Sequence, residues 1–260
     1  MSLGAELRRT LAEYAERYET AAFLDGDPSW FMHQVEGDAN REATAFVASA
    51  LSFGSRSQFM PKIHSLLDAA DGDIDSWVRS GRFSRSIRRG SCDCFYRFHT
   101  HGAMHDFLEE YRRVLDEFGT LGALVRGEAL GDGLRAVKSI CGRFAQGGGG
   151  VVPKDATSAC KRVCMFLRWM VRGGSPVDLG LWEGFIDRRT LVVPLDVHVA
   201  RESVLLGLVP CAGSTMSSAR RVTAALAEAF PDDPLKGDFA LFGLGVNGGT
   251  VVDHDSPPKP

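Results

Sequence analysis

Apolar residues recur at helical spacing along almost the whole chain. Leu7, Leu11 and Tyr14 share one face, as do Ala43, Phe46, Val47, Ala50 and Leu51, and then Ile63, Leu66 and Leu67. The same spacing returns in Phe107, Leu108, Tyr111 and Leu115, in Leu134, Val137, Ile140 and Phe144, and in Val222, Leu226 and Ala229. Residues three and four apart lie on one side of a helix, so each set forms a stripe that a helix buries against a neighbour. Strand alternation is almost absent, and the pattern predicts an all-α chain. Gly147 to Gly150 interrupts it, because four glycines in a row give up too much backbone freedom to stay helical. The short runs Val151-Val152 and Leu191-Val192-Val193 read as connectors between helices, and no internal repeat is present.

With 260 residues, 44% of them hydrophobic, the chain can bury a sizeable core. The expected organisation is a single two-lobed α-helical domain over residues 1–252. A disordered tail is expected over 253–260, ending Pro257-Pro258-Lys259-Pro260. No run approaches the roughly 20 apolar residues that cross a bilayer, and Met1 to Thr10 lacks the apolar core of a signal peptide, so the expected location is cytoplasmic and away from membranes. Six irregularly spaced cysteines do not suggest a disulfide scaffold. The net charge of −3 argues against a uniformly basic surface, yet positive charge is gathered locally: Arg79, Arg82, Arg85, Arg88 and Arg89; Lys161, Arg162, Arg168 and Arg172; Arg188 and Arg189. Such patches can hold phosphates.

Two helix starts carry the candidate chemistry. Ser158-Ala159-Cys160-Lys161-Arg162 opens a predicted helix running to Arg172, on which Lys161, Met165, Arg168 and Arg172 share one face while Val163, Phe166, Leu167 and Met170 occupy the other. The pattern predicts an exposed cationic stripe that begins at the helix start, where cations oppose the macrodipole. Positive surroundings also favour the neutral, nucleophilic form of an amine. Downstream, Pro194-Leu195-Asp196-Val197-His198 places Asp196 as the N-cap of another helix, with its carboxylate projecting off the helix end. A helix over Ser158–Arg172 is about 22 Å long, and the connection from Gly173 onward is long enough to return to its start. Amine and carboxylate are therefore expected to face each other across a cleft.

Lys161 followed by Pro194-Leu195-Asp196-Val197-His198-Val199 resembles the lysine and aspartate motif of the helix-hairpin-helix DNA glycosylases, nearest to 8-oxoguanine glycosylase/lyases of the archaeal type. A fainter echo lies in Ala48 to Ser55, where such enzymes carry a helix end facing DNA. Over most of its length the chain also resembles an uncharacterised, DUF2400-like bacterial family, through Ser158–Arg162, Met165–Met170 and Asp238–Gly245. The resemblance implies a two-lobed helical bundle that excises a damaged base, 8-oxoguanine among the candidates, and then cleaves the strand. Lys161 would attack the sugar C1′ and Asp196 would stabilise the positive charge developing on the sugar. Arg162, Arg168, Trp169, His198, Ser55 and Arg56 would face the substrate, and an aromatic pocket for the extruded base would draw on Trp169, Phe166, Trp182 and Phe242. The implied partner is damaged double-stranded DNA, with no cofactor, no metal and no obligatory protein partner. In place of the glycine-bearing family hairpin stands Val152-Pro153-Lys154-Asp155-Ala156-Thr157, which has no glycine pair, and no cysteine after Cys211 could form the iron–sulfur cluster of some relatives.

Alternatives come from other residues. A DNA-binding module of the same fold would need only the basic face, including the Arg79–Arg89 segment. Cys92, Cys94, His99 and His101 form a C-x-C-x4-H-x-H pattern of soft ligands, the basis of a zinc-hydrolase reading, although Phe95, Tyr96 and Phe98 between them read as core. His198 reads as holding the helix start or filling an interface.

Overall fold

In the computed structural model, which describes residues 3–246, the helical spacing becomes helix nearly throughout. The predicted tail 253–260 lies outside the described residues. In chain order the helices are α1 (Ala5–Tyr18), α2 (Asp38–Leu51), α3 (Arg56–Ala69), α4 (Ile74–Arg79), α5 (His101–Phe118), α6 (Leu121–Ala129), α7 (Gly133–Phe144), α8 (Lys161–Val171), α9 (Val197–Leu205), α10 (Met216–Ala229) and α11 (Lys236–Val246). Among the described residues no helix is long and apolar enough to cross a membrane. Starts are set by side chains that accept orphan backbone N–H groups: Thr100 for α5, Thr120 for α6, Asp132 for α7 and Thr215 for α10.

Among the described residues the named strands form a single hairpin, which the sequence pattern did not announce. Strands β1 (Cys94–Tyr96) and β2 (His99–Thr100) pair antiparallel, with Tyr96 opposite His99 and Arg97-Phe98 as the turn. Arg97 takes φ +52° there. A strand of three residues offers too few alternations to stand out from its surroundings.

The centre of the molecule is α2, buried continuously from Glu42 to Leu51. Alanines at 43, 45, 48 and 50 keep it slim, so α8 lies close against it. Phe46 sits among the rings of Phe107, Tyr111, Phe144 and Phe166, with centroids 5.0–5.4 Å away. One full burial of this kind contributes about 1.5–3 kcal/mol. Buried side chains form one contiguous cluster from Leu11 to Leu244. Glu42 is buried within it, accepting the N–H groups of Leu121 and Gly122 at the start of α6 and the indole N–H of Trp182. Burial raises its carboxyl above the usual range, while these donors pull the other way. The glycine run lies against α5, and at Gly149, with φ +59°, a Cβ would stand 2.2 Å from the Ala103 carbonyl oxygen.

Helix α8 corrects two expectations. It begins at Lys161 rather than Ser158, because Cys160 takes a left-handed conformation, φ +46° and ψ 38°. The segment before it is held by α10: Ala159 N–H donates to the Ser214 carbonyl, and Met216 N–H donates to that of Thr157. The cationic stripe is also not exposed, for α8 is buried from Val163 to Val171. Arg168 donates to Asp178 at 3.2 Å and to Asp238; Arg172 donates to Asp233 at 2.8 and 2.9 Å, to Glu19 at 2.7 Å and to Asp178. Phe239 lies against both guanidiniums, 4.6 and 5.4 Å from its ring centre. Burial raises the carboxyls of Asp178 and Asp238, and the arginines oppose it. Spacing places cations on a face but does not reveal which acids will meet them there.

Candidate functional site

Pro194 and Leu195 are buried and deliver Asp196, in extended conformation, to the start of α9. Its Oδ1 accepts the N–H groups of His198 at 3.0 Å and Val199 at 2.9 Å. That leaves Oδ2 for Lys161, whose Nζ is 3.8 Å away, and both side chains are 34% exposed. The two carboxylate oxygens thus divide the work, one capping a helix and the other facing an amine. The amine stands where α8 has no side-chain cap. At this exposure an ion pair adds little stability, so the pair is better read as an accessible acid–amine couple than as a brace. Val197, beside Asp196, is 77% exposed.

Asp238, in the first turn of α11, lies beneath this pair. Burial raises its carboxyl most, Arg168 opposes that, and the charge of Asp196 adds to it. One turn later Phe242, half-buried, packs on Tyr18 and Phe23 and carries the Arg56 guanidinium 5.9 Å from its centroid. Arg56 also pairs with Asp27 at 3.4 Å, and Ser55 beside it shares a hydrogen bond with Ser57. Both residues are exposed at the start of α3.

Other predicted contacts lie elsewhere. Arg168 is 4% exposed and saturated by Asp178 and Asp238, so it cannot reach a ligand without breaking that network. Trp169 is wholly buried and packs in the core, as are Phe166 and Trp182, so these three line no open base pocket. Arg162 turns inward: it donates to the Ala50 carbonyl at the end of α2 and lies 4.8 Å over the ring of Phe53. Burial brings its guanidinium down to about 10. The ring of His198 is exposed and fills no interface; only its backbone N–H binds Asp196.

In the Arg79–Arg89 segment, Arg79 pairs with Asp75, Arg82 with Asp71 and Arg88 with Asp93, so much of that charge is spoken for locally. The C-x-C-x4-H-x-H residues do not converge, and among the described residues no group of three or more such side chains is arranged to hold a metal. Cys94 turns its thiol to the Arg97 carbonyl, His101 packs edge-on to Phe95, and His99 packs between Phe53 and Phe98. Next to Lys161, Cys160 lies 4.0 Å from Cys141, sulfur to sulfur. Its thiol is brought down to about 7, chiefly by the hydrogen bond with Cys141 and also by that with Ser158. Sequence reasoning missed Asp178, Asp233 and Asp238, which reach the two arginines from distant segments. It also missed the Phe53–Phe98 contact.

His99 gives a testable pH effect. Burial, helped by the charge of Arg162, lowers its imidazole to about 4. The unfolded chain binds that proton near 6.5, so the contribution is complete above 6.5 and is lost as pH falls from 6.5 to 4. A loss of about 3 kcal/mol over this window is expected in urea unfolding, flattening below pH 4, and His99→Leu should remove that part of the slope. Parallel pH profiles for the two proteins would refute it.

The chain is mostly helical, and one helix start places an amine near the capping carboxylate of another. The chain belongs to the DUF2400 family: the family's profile, described as a protein of unknown function, matches residues 27–247, a span that includes both Lys161 and Asp196. No curated protein and no solved structure matches the chain.

Proposed function

We propose that this protein is a two-lobed DNA glycosylase of the helix-hairpin-helix kind with lyase activity, using Lys161 as nucleophile and Asp196 as its acid–base partner. The observation that carries the reading is the 3.8 Å approach of Lys161 Nζ to Asp196 Oδ2, made by residues from separate helix starts and left a third exposed. A damaged nucleotide extruded from the duplex brings its C1′ to Nζ. The Nζ–C1′ bond forms as the C1′–base bond breaks, and the base leaves with the electron pair of that bond. Asp196 Oδ2 receives the proton the amine must lose and balances the positive charge that builds on the sugar. Ring opening gives a Schiff base, and elimination of the 3′ phosphate cuts the strand. Damaged double-stranded DNA is the proposed partner, held at the exposed Ser55–Arg56 helix start. No resident cofactor enters these steps.

Borohydride reduction tests the reading, because it turns a Schiff base into a permanent bond. Incubation with a panel of lesion-bearing duplexes, 8-oxoguanine included, should yield a covalent protein–DNA band. Duplex binding with no trapped band on any lesion or on an abasic site would instead leave a DNA-binding module.

A further inference from the structure

Phe98, at the tip of the β1–β2 turn, is 70% exposed. Isolated exposed apolar residues are common, but this ring is braced. It lies 5.0 Å from Phe53 and 4.5 Å from His99, and His99 is itself buried. Phe53 is held in turn by Tyr96, whose ring is 4.9 Å away and whose hydroxyl donates to the Phe53 carbonyl, and by Arg162 at 4.8 Å and Arg97 at 5.9 Å. The loop between α2 and α3 makes room for this arrangement. Gly54 has φ +82°, and a Cβ there would stand 2.4 Å from Arg97 Nη1. The exposed Phe98 ring is thus held against Phe53, over which lie the guanidiniums of Arg97 and Arg162, and the exposed Arg97 makes no ion pair among the described residues.

We infer that Phe98 and Arg97 form a stacking platform for one unpaired nucleobase and its phosphate. A flat π face is what covers a rigid exposed phenyl ring, and a negative charge within reach is what answers Arg97. A nucleotide carries both in one unit, whereas an apolar peptide lacks the charge. The platform adjoins the helix starts already described: Gly54 leads into Ser55 and Arg56, and Arg162, which clamps Phe53, follows Lys161. The inference rests on the nucleic-acid part of the reading above and not on its covalent chemistry.

The test uses the full chain and single-stranded oligonucleotides in which one adenine is replaced by 2-aminopurine, whose fluorescence is quenched by stacking on a ring. Wild type should bind and quench. Phe98→Ala should weaken binding about tenfold and lose the quench, and Phe98→Trp should retain both. Arg97→Ala should flatten the dependence of affinity on salt by about one phosphate contact. Because Phe98 is exposed, the alanine variant should melt with wild type.

Quenching that survives Phe98→Ala would overturn the platform, as would an abasic strand of equal charge binding as tightly as the base-bearing one, or no binding by wild type. A trapped lesion duplex together with a Phe98→Ala variant that still quenches would sink the platform and leave the Lys161 chemistry standing. Loss of quenching in Phe98→Ala with no trapping by any variant would do the reverse.

Discussion

Lys161→Gln is expected to abolish the borohydride-trapped adduct, and Asp196→Asn to slow its formation by about 10²–10⁴-fold without disturbing the fold. A glutamine amide is not a nucleophile and forms no Schiff base, so nothing remains to be reduced. The asparagine variant is more informative, because Asp196 has two jobs on two oxygens: Oδ1 accepts from His198 and Val199, and Oδ2 faces Lys161. Asparagine is as good an N-cap as aspartate, so its amide oxygen keeps the first job while the charge needed for the second disappears. Asp196→Ala loses both and should lower stability by about 1 kcal/mol as well. Single-turnover trapping and urea unfolding on the same preparations separate the two effects. An adduct that persists with Lys161→Gln removes the lysine from the mechanism, and trapping at the wild-type rate with Asp196→Asn removes the aspartate.

Arg172→Met should cost the fold about 3–5 kcal/mol. The methionine fills much of the volume but leaves Asp233, Asp178 and Glu19 without the cation they share, all in a region where the arginine is 1% exposed. Asp178 is already raised by burial with both arginines present, and removing one raises it further. A carboxyl raised in the folded state favours folding below its unfolded value near 4 and loses that contribution as pH climbs through the folded value. The deficit of the variant relative to wild type should therefore shrink on acidification from pH 8 toward 5, read as a converging pair of urea midpoints. A loss under 1 kcal/mol, or a deficit that does not change with pH, would show that the network holds less than its burial implies.

The helices were legible because their apolar spacing is local and repeated: the stripe of Phe107, Leu108, Tyr111 and Leu115 is the buried face of α5. Asp196 as a helix cap was legible for the same reason, since capping is decided by the next three residues. The outward reading of Arg168 and Arg172 failed because their partners come from distant segments, Glu19, Asp178, Asp233 and Asp238, and no spacing on α8 announces them. Trp169 failed similarly. Its helix is covered on every side, which Val163 to Val171, apolar apart from Arg168, gives in composition rather than in a one-sided stripe. The start of α8 was misplaced by three residues because a cysteine in left-handed conformation has no sequence signal of the kind glycine gives.

One main-chain arrangement gives the lysine a second owner. Thr157 and Ala159 are tied to Met216 and Ser214, so the run leading into α8 is stitched to the loop that opens α10. The backbone entering α8 is thereby tied at long range to a turn more than fifty positions downstream. A change in the loop before α10 would therefore be felt in the backbone that leads to the amine, through hydrogen bonds made far from it in sequence.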